Sequence, residues 1–337
     1  MDNAAPAREL LVVRAEREAE GVVGLTLADP GGAELPEWEP GAHVDIELPS
    51  GLTRSYSLCG SPRERHSYRV AVLRVPRSRG GSAEIHATDL VGRRLRVRGP
   101  RNHFPLVPAD RYVFIAGGIG ITPLLPMLRR LSEQPGSPRW TLLYGGRSLE
   151  TMAFRREVTG LRGGETTLWP QDSHGLPDLD RALRGLPTGT AVYCCGPEGL
   201  LREVEARVDR RLPPGALHTE RFRPPGAADA DPGSPGGTDP ADGTGGTGDA
   251  PFEVELRRTG VTLRVPAERR LLDVVREAVP AVPYSCEEGT CGTCETKVLA
   301  GVPDHRDLLL DDDEREAGST MMICVGRSKG PRLVLDL

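Results

Sequence analysis

No stretch of this 337-residue sequence stays apolar long enough to cross a membrane as a helix. The longest apolar run, Tyr112 to Met127, is broken by Gly117, Gly118, Gly120, Pro123 and Pro126. The amino terminus lacks the basic-then-apolar layout of a secretory signal. There is no basic excess either: a net charge of -5 with 27% charged residues argues against a nucleic-acid binder or a coiled coil. Nor do the seven cysteines suit a secreted disulfide framework, because one motif claims four and leaves the odd set Cys59, Cys194 and Cys195. Those three read as reduced, buried side chains. The expectation is a cytoplasmic monomer with no membrane or nucleic-acid partner.

One segment lacks anything that builds a core. Residues 224–250 contain only Gly, Pro, Ala, Asp, Ser and Thr, with Asp229, Asp231, Asp239, Asp242 and Asp249 spread through them. This reads as a solvated linker with a span of roughly 25–30 Å. The remaining length is enough for two or three separate cores.

What the sequence does have is a cysteine spacing of high specificity. Cys286, Cys291, Cys294 and Cys324 form a C-x4-C-x2-C-x29-C pattern, the spacing of plant-type 2Fe-2S ferredoxins. Three ligands then come from one short loop, where Gly289 and Gly292 permit the positive φ angles of a tight wrap. The fourth arrives from a distant segment. A structural zinc site would more often show two C-x2-C pairs or histidine partners, and ordinary buried cysteines are the blander alternative. Glu287, Glu288 and Asp311 to Glu314 give this region an acidic character, which reads either as a docking face for a basic partner or as solvated surface.

Three textures divide the chain. Residues 1–107 carry short apolar runs, Leu10 to Val13, His43 to Leu48 and Tyr68 to Leu73, between turn-rich stretches, which predicts an antiparallel β-barrel. Residues 108–223 alternate strand-like segments (Tyr112 to Ala116, Trp140 to Tyr144, Ala191 to Cys195) with helical ones (Leu124 to Leu131, Leu200 to Leu212), which predicts a parallel sheet. Residues 251–337, beyond the linker, open with a hairpin, Phe252 to Leu256 and Val261 to Val265, then a helix over Arg270 to Ala278.

In the first region Arg54-Ser55-Tyr56-Ser57 follows Pro40-Gly41-Ala42-His43 and precedes Arg79-Gly80-Gly81-Ser82, with a short helix expected over Ala83 to Asp89. A guanidinium beside free backbone N–H groups suits a phosphate, so Arg54, Gly80, Gly81 and Ser82 form a candidate anion site, and Tyr56 offers a flat aromatic face. Arg79 reads equally as a loop charge. In the second region the strand over Tyr112 to Ala116 runs into Gly117-Gly118-Ile119-Gly120-Ile121-Thr122-Pro123 and a helix, a loop whose glycines let a backbone approach a pyrophosphate. The third glycine of dehydrogenase loops is missing here, and Pro123 stands near its place. Val192 to Pro197 ends in Cys195-Gly196-Pro197 at a strand terminus.

Taken together, Arg54-x-Tyr56-Ser57, the Gly117 to Pro123 loop and the Tyr193-x-Cys195-Gly196-Pro197 segment resemble the ferredoxin reductase superfamily. With the cysteine loop and Asp304-His305-Arg306-Asp307, nearly the whole chain resembles the phthalate dioxygenase reductase family. That resemblance implies a β-grasp fold for the ferredoxin domain, Ser57 near flavin N5, Thr122 near the nicotinamide, Cys195 near its reactive carbon and Phe222 over the flavin. Packing alone would also account for Cys195 and Phe222, and Arg147 reads as a ribose contact or a strand-end residue. The resemblance further implies FMN rather than FAD, since the ferredoxin stands at the carboxyl end, and no aromatic platform for adenine follows Ser82. It implies NADH as donor and a separate terminal oxygenase as acceptor, of the Rieske hydroxylase or O-demethylase type. A haem-thiolate monooxygenase partner and a redox-sensing module are the competing expectations.

Overall fold

The computed structural model describes residues 7–75, 80–208, 212–213, 215–222, 249–284, 287, 289, 292–307, 309–310 and 312–337. Contacts divide the chain into two units, Met1–Phe222 and Arg223–Leu337.

The first unit opens with six antiparallel strands, β1 (Arg8–Ala19), β2 (Val22–Ala28), β3 (His43–Glu47), β4 (Thr53–Ser57), β5 (Ser67–Leu73) and β6 (Arg94–Arg101), ordered β4-β3-β6-β1-β2-β5. Beyond β4, a bridge from Leu58 to Val70 joins the two ends of that order, so the sheet curls closed as a barrel. Leu10, Leu25, Leu27, Val44, Ile46 and Val70 point inward, each almost fully buried. The helix expected at Ala83 starts earlier: α1 spans Gly81–Ala87. Gly80, at a φ of 96°, redirects the chain there, so Gly81 and Ser82 already belong to the first turn.

Five parallel strands follow: β7 (Arg111–Gly117), β8 (Trp140–Gly146), β9 (Gly164–Pro170), β10 (Thr190–Cys195) and β11 (Leu217–Glu220), ordered β11-β10-β7-β8-β9. Helices α2 (Ile121–Glu133), α3 (Arg155–Gly160), α4 (Gln171–His174), α5 (Leu179–Ala182) and α6 (Glu198–Val208) connect them. Apolar residues at helical spacing, Leu124, Leu125, Leu128 and Leu131, seat α2 against Phe114 and Tyr193 of the sheet. Chain order reverses between β7 and β10, and open parallel sheets bind ligands in the crevice at that switch. Both expected nucleotide segments leave the sheet there.

The second unit has strands β12 (Phe252–Leu256) and β13 (Val261–Val265), helix α7 (Leu271–Ala278), β14 (Glu295–Ala300), β15 (Pro303–Asp304), α8 (Asp312–Ala317), β16 (Thr320–Met322), β17 (Arg327–Ser328) and β18 (Arg332–Leu335). Its main sheet runs β13-β12-β18-β14-β16, with β12 and β18 parallel and every other pairing antiparallel. Helix α7 buries Leu271, Leu272, Val274 and Val275 on that sheet, the β-grasp arrangement.

Residues 224–248 of the expected linker lie outside the described residues. Asp249 departs from the expectation of a solvated linker carboxylate. Its oxygens accept from Arg306 at 2.6 and 3.1 Å, and the buried Arg327 stands 3.5 Å away. With Ala250 O also accepting from Arg327, the compact fold reaches back to Asp249.

Candidate functional site

Strand β4 carries Arg54 and Tyr56 on one face, paired with Ile46 and Val44 of β3. The first turn of α1 lies against Arg54: a Cβ on Gly81 would stand 2.7 Å from Arg54 Cγ, so only glycine lets the guanidinium stem and the helix start approach this closely. The structure thus brings Arg54 against the Gly81 start of α1, with Gly80 and Ser82 on either side of Gly81 in sequence. Ser82 Oγ also accepts from Val75 N at 3.2 Å. Tyr56 packs on the barrel core, and burial pushes its phenol above the usual range, so it stays neutral.

The nucleotide segments meet as tightly. The chain turns at Gly118–Gly120 and enters α2 at Ile121. A Cβ on Gly120 would stand 2.2 Å from Cys195 O, and one on Gly117 would stand 2.6 Å from Pro197 Cδ. These are contacts no side chain tolerates, which leaves a smooth backbone wall suited to a pyrophosphate. Thr122 is buried and donates to Ile119 O at 2.9 Å, while Pro123 is buried within α2. Cys195 is buried beside Gly196, and burial drives its thiol well above the ordinary range, so it is no thiolate. Arg147 is exposed just beyond β8.

A residue that sequence reasoning passed over joins the two halves. Glu220, at the end of β11, pairs in register with Cys195, and Ser57 Oγ donates to Glu220 Oε2 at 3.3 Å. Burial raises the Glu220 carboxyl to about 8, the Ser57 bond opposing the shift only in part. One strand end thus brings Ser57 of the flavin motif and Cys195 of the nicotinamide motif to a single protonated carboxyl. The segment Thr219-Glu220-Arg221-Phe222 drew attention only for its phenylalanine, which is 40% exposed. A second unforeseen group lies beside β4: Asp45 accepts from Ser55 at 2.6 Å and pairs with Arg101. Burial would push that carboxyl up, yet Arg101 and Ser55 hold it below the usual range.

In the second unit Cys294 and Cys324 are both buried, and Ile323 N donates to Cys294 O at 3.4 Å. Strands β14 and β16 pair Glu295 with Met322, which brings the cysteines before one strand and after the other to the same end of the sheet. Cys286 and Cys291 lie outside the described residues, and among the described residues no group of three metal-ligating side chains stands together. The loop geometry fits the cluster: Gly289 and Gly292 hold φ angles of 71° and 72°, and a Cβ on Gly289 would stand 2.8 Å from Val325 and 2.9 Å from Asp307 Cα. Glu287 pairs with Arg270 at 2.9 Å, so its charge is largely answered within the domain.

Comparison with known proteins agrees with this chemistry. The 2Fe-2S iron-sulfur cluster binding domain family matches residues 254–329, and the oxidoreductase NAD-binding domain family matches residues 114–206. The phenoxybenzoate dioxygenase subunit beta of Ectopseudomonas oleovorans is 45% identical over 95% of this chain and 94% of its own length. The phthalate dioxygenase reductase of Burkholderia cepacia is 37% identical, covering 97% of each chain. A solved phthalate dioxygenase reductase superposes with a TM-score of 0.69 over 98% of both chains, at 37% identity. An intact type IV self-sufficient cytochrome P450 monooxygenase gives a TM-score of 0.83 at 40% identity over 98% of this chain, which spans 41% of that protein.

The fold and site define an oxidoreductase of the electron-transfer kind, with a nicotinamide-binding domain and a 2Fe-2S domain in one chain. Identity over the full length settles the rest: the chain belongs to the phthalate dioxygenase reductase family. It is a reductase of an oxygenase system.

Proposed function

We propose that this chain passes electrons from NADH through FMN and the 2Fe-2S cluster to a separate terminal oxygenase, a Rieske-type hydroxylase or O-demethylase. The observation that carries the reading is the Ser57 to Glu220 contact of 3.3 Å, where the flavin motif and the nicotinamide wall converge. Proposed domains are a flavin barrel over 1–107, a nucleotide domain over 108–223, a linker over 224–250 whose last two residues are bound to the ferredoxin fold, and the ferredoxin over 251–337.

When bound, the flavin takes a hydride from NADH and releases electrons singly to the cluster, which is the chemistry the protein itself lacks. The chain's residues hold and tune. Arg54 with Gly80, Gly81 and Ser82 binds the flavin phosphate, and Tyr56 lies along the ring system. Gly117, Gly118, Gly120, Gly196 and Pro197 bind the nucleotide backbone. Thr122 and Cys195 bound the nicotinamide pocket as small, neutral groups. Ser57 donates to Glu220, whose raised carboxyl keeps its proton at neutral pH. Phe222, exposed two residues beyond Glu220, covers the flavin face. Cys286, Cys291, Cys294 and Cys324 ligate the cluster.

FMN is favoured over FAD by α1 itself. Its one ring-bearing residue, His86, has Nε2 at 2.9 Å from Val72 O and is turned onto the barrel instead of offering a platform for adenine. A monomer in the cytoplasm, with neither nucleic acid nor membrane as partner, completes the proposal; the net charge of -5 speaks against a nucleic-acid partner, and among the described residues no helix is long and apolar enough to cross a membrane. A haem-thiolate monooxygenase is the second reading of the partner, favoured by the fused monooxygenase that contains a homologous region. Reduction of a Rieske oxygenase, and not of a haem-thiolate enzyme, by purified protein and NADH decides between them. The visible spectrum with the released flavin identified tests the cofactors, and NADH-dependent cytochrome c reduction excludes a mere sensor.

Arg54→Ala should weaken flavin affinity by roughly 10- to 150-fold, because a charge-assisted bond of about 1.5–3 kcal/mol is lost. Flavin retained equally well through a dilution series would reject the cradle.

A further inference from the structure

We propose that Arg129 is a positioning residue, which sets how closely nicotinamide and flavin approach by tying helix α2 to the strand that carries Arg54, Tyr56 and Ser57. The inference rests on the proposed flavin and nicotinamide sites and adds a group that touches neither.

Helix α2 begins at the nucleotide loop, and Arg129 lies two turns along it. Its Nη1 donates to Cys59 O at 2.6 Å and to Gly60 O at 2.5 Å, the second and third residues beyond Ser57. The other edge of the guanidinium pairs with Glu157 of α3, and the Arg129 side chain is only 12% exposed. One planar fork therefore holds the far end of β4 and two elements of the nucleotide domain together. A lysine ammonium on its flexible stem does not reproduce that fork.

The surroundings make the joint stiff. Cys59 packs in the same apolar cluster as Phe114, Leu124 and Leu128 of the nucleotide domain. Its N–H donates to Arg69 O at 2.8 Å. The Arg69 guanidinium pairs with Glu18 at 2.6 Å and lies 5.0 Å over the Phe154 ring. Phe154 holds a left-handed φ of 58°, and its carbonyl accepts from Glu157 N at 2.9 Å. The path from Arg129 through Glu157, Phe154, Arg69 and Cys59 closes on itself. Such a ring resists sliding between barrel and parallel sheet, and reaction between two bound groups is steeply sensitive to small displacements.

Ordinary glue between domains would lower stability or cofactor retention when weakened, yet leave the rate in folded, loaded protein untouched. Arg129→Lys in the full chain separates the two. Flavin content is expected to stay native, and apparent NADH affinity to change less than about threefold. The limiting rate of flavin reduction at saturating NADH should fall by about 10- to 100-fold. Long-wavelength charge-transfer absorbance with NAD+ should weaken in parallel, and hydrogen exchange in flavin-free protein should rise together at residues 58–60 and in α2. A native limiting rate and charge-transfer band, or a loss confined to NADH affinity, would overturn the proposal. Should Arg129→Lys not fold, Glu157→Gln loosens the same fork from the α3 side and is read by the same two outcomes. Failure of the wild-type chain to be reduced by NADH would instead overturn the underlying site, so the two failures are distinct.

Discussion

Cys324→Ser is expected to cut electron delivery to cytochrome c or an oxygenase to background while leaving reduction of the flavin by NADH at its native rate. Cys324 is 1% exposed and, in the proposed ligand set, is the one ligand that comes from outside the Cys286 to Cys294 loop. A serine hydroxyl is a hard, weakly acidic donor where the cluster requires a soft thiolate. The second unit should keep its fold, because Phe252, Val254, Leu271, Val275 and Leu333 build its core apart from the cysteines. Flavin binding should survive for a more basic reason: Arg54 and α1 belong to the first unit, whose barrel has its own core. Iron and sulfide content near zero with stoichiometric flavin, and anaerobic flavin bleaching at the native rate, are the expected readings. Joint loss of iron and flavin from folded protein would refute the placement of the two cofactors on separate units.

The cysteine spacing was legible because cluster chemistry imposes it on the chain locally, with no help from tertiary structure. The barrel and parallel sheet were legible where burial is one-sided or complete. Leu10 to Val13 marked β1, yet the strand runs on to Ala19 through Arg14-Ala-Glu-Arg-Glu18, where pairing with β2 replaces hydrophobicity as the reason for extension. Strands β9 and β11 escaped notice for a related cause. Both lie at the edges of the parallel sheet, where Gly-Glu-Thr-Thr and Leu-His-Thr-Glu are only partly covered, so neither shows the apolar run of a central strand.

The site was legible in its backbone parts and opaque in its side-chain couplings. Gly81 and Gly120 could be singled out because close approach leaves a glycine in the sequence. Arg129 leaves no such mark, since an arginine late in an amphipathic helix reads as solvated surface. Its role depends on where the β4 to β5 connection passes. Glu220 was hidden for the same reason: nothing in Leu217 to Phe222 says that a barrel serine covers the carboxyl.

That carboxyl gives the second large effect. With its pKa raised to about 8 by burial, Glu220 is neutral over most of the neutral range and becomes an anion as pH rises through that value. In the proposed site, a hydride arriving at a flavin beside Ser57 would bring negative charge near this carboxyl, and two charges at a generic separation of roughly 4 Å and a surface-like effective dielectric repel by about 4 kcal/mol. The limiting rate of flavin reduction should therefore fall by about 10- to 100-fold between pH 7 and pH 9.5, roughly half of that repulsion surviving solvent screening. Glu220→Gln, neutral at every pH, should show no such fall. Stability carries the same signature. The folded-state pKa stands above the ordinary carboxyl value of 4.5, so the folded chain binds the proton more tightly than the unfolded one. Stability is then fullest below about 4.5, declines as pH rises toward 8, and levels off beyond it. In wild type this costs on the order of a few kcal/mol, and Glu220→Gln should lack that slope. Stopped-flow reduction and thermal unfolding across pH 5 to 9.5 measure both. A wild-type rate that stays level through pH 8, or a Glu220→Gln variant that loses rate in step with wild type, would show that the charge switch lies elsewhere and that Glu220 serves only as a cover for Ser57.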